Sequence, residues 1–131
     1  QRSAVMSYQS ALEAAGCEVI EFVQFGCYQG EWLALIRLGD EIGVCEGSYG
    51  SCSYCDAFEG EFGYVETEAP DYQSRLADFG RGYLPANTLA EMVAKLTRES
   101  DRLEWDDDYQ EMLSKVLDWD SKYQSSVEAA Q

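Results

Sequence analysis

The chain of 131 residues carries 25 acidic and nine basic side chains and no histidine, for a formal net charge of −16. With 46% hydrophobic and 13% aromatic residues it can bury a core, which excludes a disordered chain and fits a single domain. The same acidity argues against direct binding of nucleic acid, whose phosphates call for Lys and Arg, and of anionic membranes.

Near the start, Val5, Tyr8 and Leu12 recur at helical spacing behind Ser3, a candidate N-cap, and Gly16 falls where a helix ends on a left-handed residue. Gln1 is not an initiator residue, so a preceding piece is expected, and QRSAVMSYQS lacks the basic-then-apolar order of a signal peptide. No apolar run approaches the roughly 18 residues of a membrane span, so a cytoplasmic protein is expected.

Three runs follow that are rich in β-branched and aromatic residues: Glu18 to Phe25 (EVIEFVQF), Glu31 to Leu38 (EWLALIRL) and Glu41 to Glu46 (EIGVCE). Turns at Gly26 to Gly30 and at Gly39-Asp40 make them an antiparallel meander. In the second run Trp32, Ala34, Ile36 and Leu38 alternate with Glu31, Leu33, Leu35 and Arg37. Both faces carry apolar side chains, which predicts the central strand. EFGYVETE, Glu61 to Glu68, is expected to add a short edge strand.

Beyond it the period changes. Tyr72, Leu76 and Phe79 share a helical face, and the glycines of FGRGYLP are expected to stop that helix before Pro85. Thr88-Leu-Ala-Glu91 spells a capping box for a longer helix striped by Leu89, Met92, Val93, Leu96 and Leu103. Asp108 with Glu111 opens another, striped by Tyr109, Met112, Leu113, Val116 and Tyr123. These stripes read as core packing rather than as a ligand groove. The expected fold is α+β in one domain over 1–131: a helix, a small antiparallel meander of three to four strands and a cysteine loop in 1–66, then a helical half in 67–131.

Five cysteines without a secretory signal point to thiols or a metal site in a reducing compartment, not to a disulfide framework. Strands one and three of a meander run in the same direction, and Cys27 and Cys45 are each expected near a strand end. The stretch YGSCSYCDAFEGEF leaves from that edge. Cys27, Cys45, Cys52 and Cys55 are therefore the candidate ligands of one structural zinc, with Cys17 left out as a buried thiol. The loop would have to cross the span between strands one and three, about 9.6 Å. Three readings stay open: a zinc site, reduced cysteines that pack, and a redox pair. Asp56, Glu59 and Glu61 weigh against the redox pair, because they raise the thiol pKa that a reactive Cys-x-x-Cys must lower. On the packing reading, Cys52, Cys55 and Phe58 point into the sheet end and fix a sharp reversal that Gly47 and Gly50 permit.

Absence of histidine removes the commonest general base and the usual partner of a nucleophilic Ser or Cys. Asp106-Asp107-Asp108 does not spell an EF-hand and reads as a solvated helix start. The chain is not expected to be an enzyme.

The run from Tyr28 to Phe58, YQGEWLALIRLGDEIGVCEGSYGSCSYCDAF, resembles a group of small uncharacterised proteins of bacteriophages and prophages. These share a strand of the type YQG…LLR-G, a second strand, and then YGSCSxCDA. The most specific part is Gly50 to Ala57, in which Tyr54 stands where the group commonly has glycine. The resemblance implies a phage or mobile-element origin, hence action inside a bacterial host cell. Small acidic phage proteins of this kind are often inhibitors of host defence, including anti-CRISPR and anti-restriction proteins. Some are DNA mimics that set carboxylates where phosphates would bind a basic channel. The expected partner is then a basic nucleic-acid-binding host protein, a CRISPR effector or a restriction enzyme. Its candidate contacts are Asp56, Glu59 and Glu61, together with Asp101, Glu104, Asp108 and Glu111. The last four form one face if the helix junction is continuous, and are split if a break falls at Trp105 to Asp108. The alternative is a zinc-stabilised or thiol-redox module whose acidity is incidental.

Overall fold

The computed structural model describes residues 4–26, 29–50, 56–63 and 65–130, with side chains described between Ser7 and Tyr123. Its contacts group into two compact units, Gln1–Ala86 and Asn87–Gln131. In the first, helix α1 (Ala4–Ala14) leads into strands β1 (Glu18–Gly26), β2 (Gly30–Leu38) and β3 (Glu41–Tyr49), followed by helices α2 (Ala57–Phe62) and α3 (Tyr72–Arg81). The α+β class and the antiparallel meander follow the predicted pattern, with strand order β1-β2-β3.

Gly16 ends α1 as its position requires. Its φ of +102° lets the Cys17 N–H reach back to Leu12 O and its own N–H to Glu13 O, which satisfies two terminal carbonyls. Central β2 is buried on both faces from Trp32 to Ile36. One feature of β1 defeats simple alternation: its register on β2 shifts between Val19 and Glu21, so Ile20 is an extra residue. That bulge puts Val19 and Phe22, three residues apart, on the same core face.

The first unit's core gathers on that face. Trp32 lies over Gly47, its cross-strand partner, so closely that a Cβ there would sit 2.5 Å from the indole. Phe22 stacks on Trp32 at 5.2 Å, and Tyr8 of α1 and Tyr83 approach it at 5.3 and 5.0 Å between ring centroids. Such pairs add to the apolar area they bury.

One expectation needs correction here. The predicted fourth strand is absent among the described residues, because Glu61 and Phe62 close α2 instead. Phe58 and Phe62, four apart, are both buried and stack at 4.6 Å, a helical spacing that outweighs the strand-like look of the sequence. The glycines of FGRGYLP do stop α3 before Pro85: Gly80 lies inside the helix and Gly82 is its C-cap. Helix α3 packs on α1, and the two units meet at Ala86 and Asn87.

In the second unit α4 (Leu89–Ser100) and α5 (Asp107–Ala130) pack on each other. The Thr88 hydroxyl accepts from Glu91 N–H at 3.0 Å and the Glu91 carboxylate from Thr88 N–H at 3.1 Å, the predicted reciprocal cap. Leu89, Met92 and Leu96 on α4 and Met112, Val116 and Trp119 on α5 are buried. Leu103, expected on the α4 stripe, falls in the turn beyond the helix.

Gly80 marks the closest approach of α3 to α1, since a Cβ there would meet the Ala11 carbonyl oxygen at 2.0 Å. Gly80→Ala should therefore separate the helices and cost about 2 kcal/mol or more, despite alanine's better helix propensity. Gly82→Ala, at a helical φ of −63°, should shift stability by less than about 1 kcal/mol. Denaturant midpoints compare the two, and equal, small losses would contradict the close packing.

Candidate interaction site

Two places in the fold concentrate polar chemistry, one in each unit. In the first unit Asp56, preceding α2, is buried. Its Oδ1 accepts from the Tyr8 hydroxyl at 2.9 Å and from Gly50 N–H at 3.0 Å, and its Oδ2 accepts from Glu59 N–H at 2.8 Å, capping the helix. The Tyr8 oxygen in turn accepts from Phe58 N–H at 3.2 Å. Burial, partly opposed by that Phe58 contact and reinforced by Asp56, holds the Tyr8 hydroxyl pKa well above its usual value. Burial, with the Asp56 charge second, pushes Tyr83 up to about 12.

Asp56 is therefore a structural group, and the expectation that it meets a partner does not fit its burial. Glu59 is half-buried, with Oε1 shielded from water, while Glu61 is exposed on the outer side of α2. Phe58 reaches the core, as the packing reading requires.

Of the candidate metal ligands, Cys27, Cys52 and Cys55 lie outside the described residues. Gly50 and Asp56, which bracket the Cys52 and Cys55 stretch, are joined by the hydrogen bond above. Cys45 is not at a strand end. β3 continues to Tyr49, and Cys45 pairs with Ala34 in the middle of the sheet, about 13 Å along the strand from its end. Its side chain belongs to the core cluster, as does that of Cys17. Burial pushes the Cys45 thiol up to about 12, with a smaller contribution from Cys17, and raises Cys17 as well. Burial in the core thus disfavours the thiolate form of both. Among the described residues no group of three or more His, Cys, Asp or Glu could hold a metal ion.

The second place is the α4–α5 junction. Between Glu99 and Glu111 the chain has seven carboxylates and one arginine, Arg102. Asp101 caps α4, the turn runs to Trp105, and α5 begins at Asp107, so the junction splits the proposed face. Asp101 and Glu104 lie in the turn, Asp108 and Glu111 on the first turns of α5, and all four are exposed. The helix cap is Asp106, whose Oδ1 accepts from Tyr109 N–H at 3.0 Å, and not Asp108 as the Asp108 and Glu111 spacing implies. Asp107 and Asp108 then sit where the helix dipole favours negative charge.

The turn is braced from α5. Gln110 Nε2 donates to Ser100 O at 3.4 Å and Leu103 O at 3.3 Å, and the Tyr109 hydroxyl donates to Leu96 O at 3.2 Å. Arg102 is ion-paired to Glu99. An open depression of about 490 Å³ is lined by Arg102, Leu103, Trp105, Asp106, Asp107 and Asp108. Trp105, missed in the sequence because it belongs to no stripe, is 87% exposed. No helix among the described residues is long and apolar enough to cross a membrane.

Removing the Asp56 carboxylate should strand several buried donors and uncap α2. Asp56→Ala is expected to lose about 2–4 kcal/mol of stability, with Asp56→Asn, which keeps one acceptor oxygen, losing less. Charge reversal at Glu104, Asp108 and Glu111 should lower the melting temperature far less, since all three are exposed and only Asp108 gives up a favourable place at the helix start. A melting temperature for Asp56→Ala within error of the parent would remove the carboxylate from its structural role. Compared with protein-family models, with curated proteins and with solved structures, the chain matches none.

Proposed function

We propose that the chain is a non-catalytic acidic inhibitor that occupies the basic nucleic-acid-binding surface of a bacterial defence effector, a CRISPR effector or a restriction enzyme, and blocks DNA loading. The observation that carries this reading is the α4–α5 junction, where exposed carboxylates crowd a turn held by hydrogen bonds. A braced turn presents its charges in one arrangement and loses little conformational entropy on binding. Its field steers a basic partner toward it, on a chain whose overall charge of −16 acts in the same sense. Exposed acids contribute little to folding, so their density at one corner is better explained by recognition than by stability. The resemblance of the Tyr28 to Phe58 run to phage proteins supports the class of partner.

The reading is tested by displacement of labelled duplex DNA from purified CRISPR effectors and restriction enzymes. The chain should displace DNA from a susceptible effector, less well as salt rises, because each contact is ionic. The combined variant Glu104→Lys, Asp108→Lys and Glu111→Lys should fold and fail to displace. Inhibition by that variant equal to the parent's, or no displacement from any effector at low salt, would refute it.

A further inference from the structure

The three tryptophans divide sharply: Trp32 and Trp119 are fully buried, whereas Trp105 is 87% exposed on the acidic turn. An indole left in water forgoes the apolar burial that the other two obtain. It stands beside a depression whose other walls are Arg102, Leu103 and three aspartates. We propose that Trp105 is the anchor of this surface, its ring face receiving an arginine guanidinium of a basic protein partner while Asp106, Asp107 and Asp108 surround the cation.

The proposal rests on the preceding reading and adds its recognition chemistry. A guanidinium is planar, weakly hydrated and stacks on aromatic faces, whereas an ammonium is compact and strongly hydrated. The negative face of an indole and the neighbouring carboxylates both attract it. The chain already sets cations over rings internally, the Arg75 guanidinium at 5.7 Å from Phe62 and the Lys115 ammonium at 5.8 Å from Trp119. An apolar occupant would have to strip water from the flanking aspartates without pairing them. A second copy would bring two acidic junctions together, and like charges across an interface oppose association. Arg102 is tied to Glu99, which leaves the cation to come from the partner.

The test uses the full chain with deca-arginine and deca-lysine, which match in charge. Acrylamide quenching of tryptophan emission reads Trp105, because the other two indoles are buried. Deca-arginine should shield Trp105 and bind about three- to tenfold more tightly than deca-lysine by calorimetry. Trp105→Ala should abolish that preference while keeping charge-driven binding of both peptides. Equal affinities in the parent, or a preference that survives Trp105→Ala, overturns the anchor and leaves the acidic-inhibitor reading standing. No binding of either peptide at low salt overturns both. Protection of Trp105 that grows with protein concentration alone would assign the surface to a second copy and also overturn the proposal.

Discussion

One buried carboxylate fixes the arrangement of the first unit. A charge in the interior is costly unless its oxygens are filled, and Asp56 fills them with the Tyr8 hydroxyl and the N–H groups of Gly50 and Glu59. Those donors come from α1, from the residue after β3 and from α2. One group thereby ties α1 to the residue after β3 and starts the short helix that delivers Phe58 and Phe62 to the core. The aromatic contacts around Trp32 depend on the same placement, since Tyr8 is both a ligand of Asp56 and a neighbour of the indole.

That constraint explains what the sequence alone reveals. The meander is legible because β2 is a β-rich run that is apolar on both faces and because Gly39, with φ +62°, turns the chain into the next such run. The capping box at Thr88 is legible because both of its partners are local. What stays hidden depends on distant residues. The bulge at Ile20 shows only against β2, and Gly80 looks like a helix stop until Ala11 is placed beside it. Asp56 belongs to an acidic run and reads as surface, yet its partner Tyr8 lies 48 residues away. For the same reason Cys45 reads as the end of a strand: the three residues that extend β3 beyond Glu46 are Gly47, Ser48 and Tyr49, of which the first is shaped by Trp32 rather than by strand propensity.

The acidic side chains thus stand in two physical settings. Asp56 is desolvated and hydrogen-bonded through both oxygens, whereas the junction acids remain in water around a braced turn. Asp106 has two roles, since it caps α5 while lining the depression beside Trp105. The brace from Tyr109 and Gln110 is what turns a run of like charges, which would otherwise splay, into a defined surface.

The central claim is that structure resides in the Asp56 network and recognition in the junction. Amide hydrogen exchange on the chain bound to a basic nucleic-acid-handling effector tests it most directly. The account predicts new protection in peptides covering Glu99 to Glu111 and unchanged exchange from Gly50 to Phe62. New protection confined to Gly50 to Phe62, with the junction unaffected, would contradict it and make the cysteine stretch the working surface.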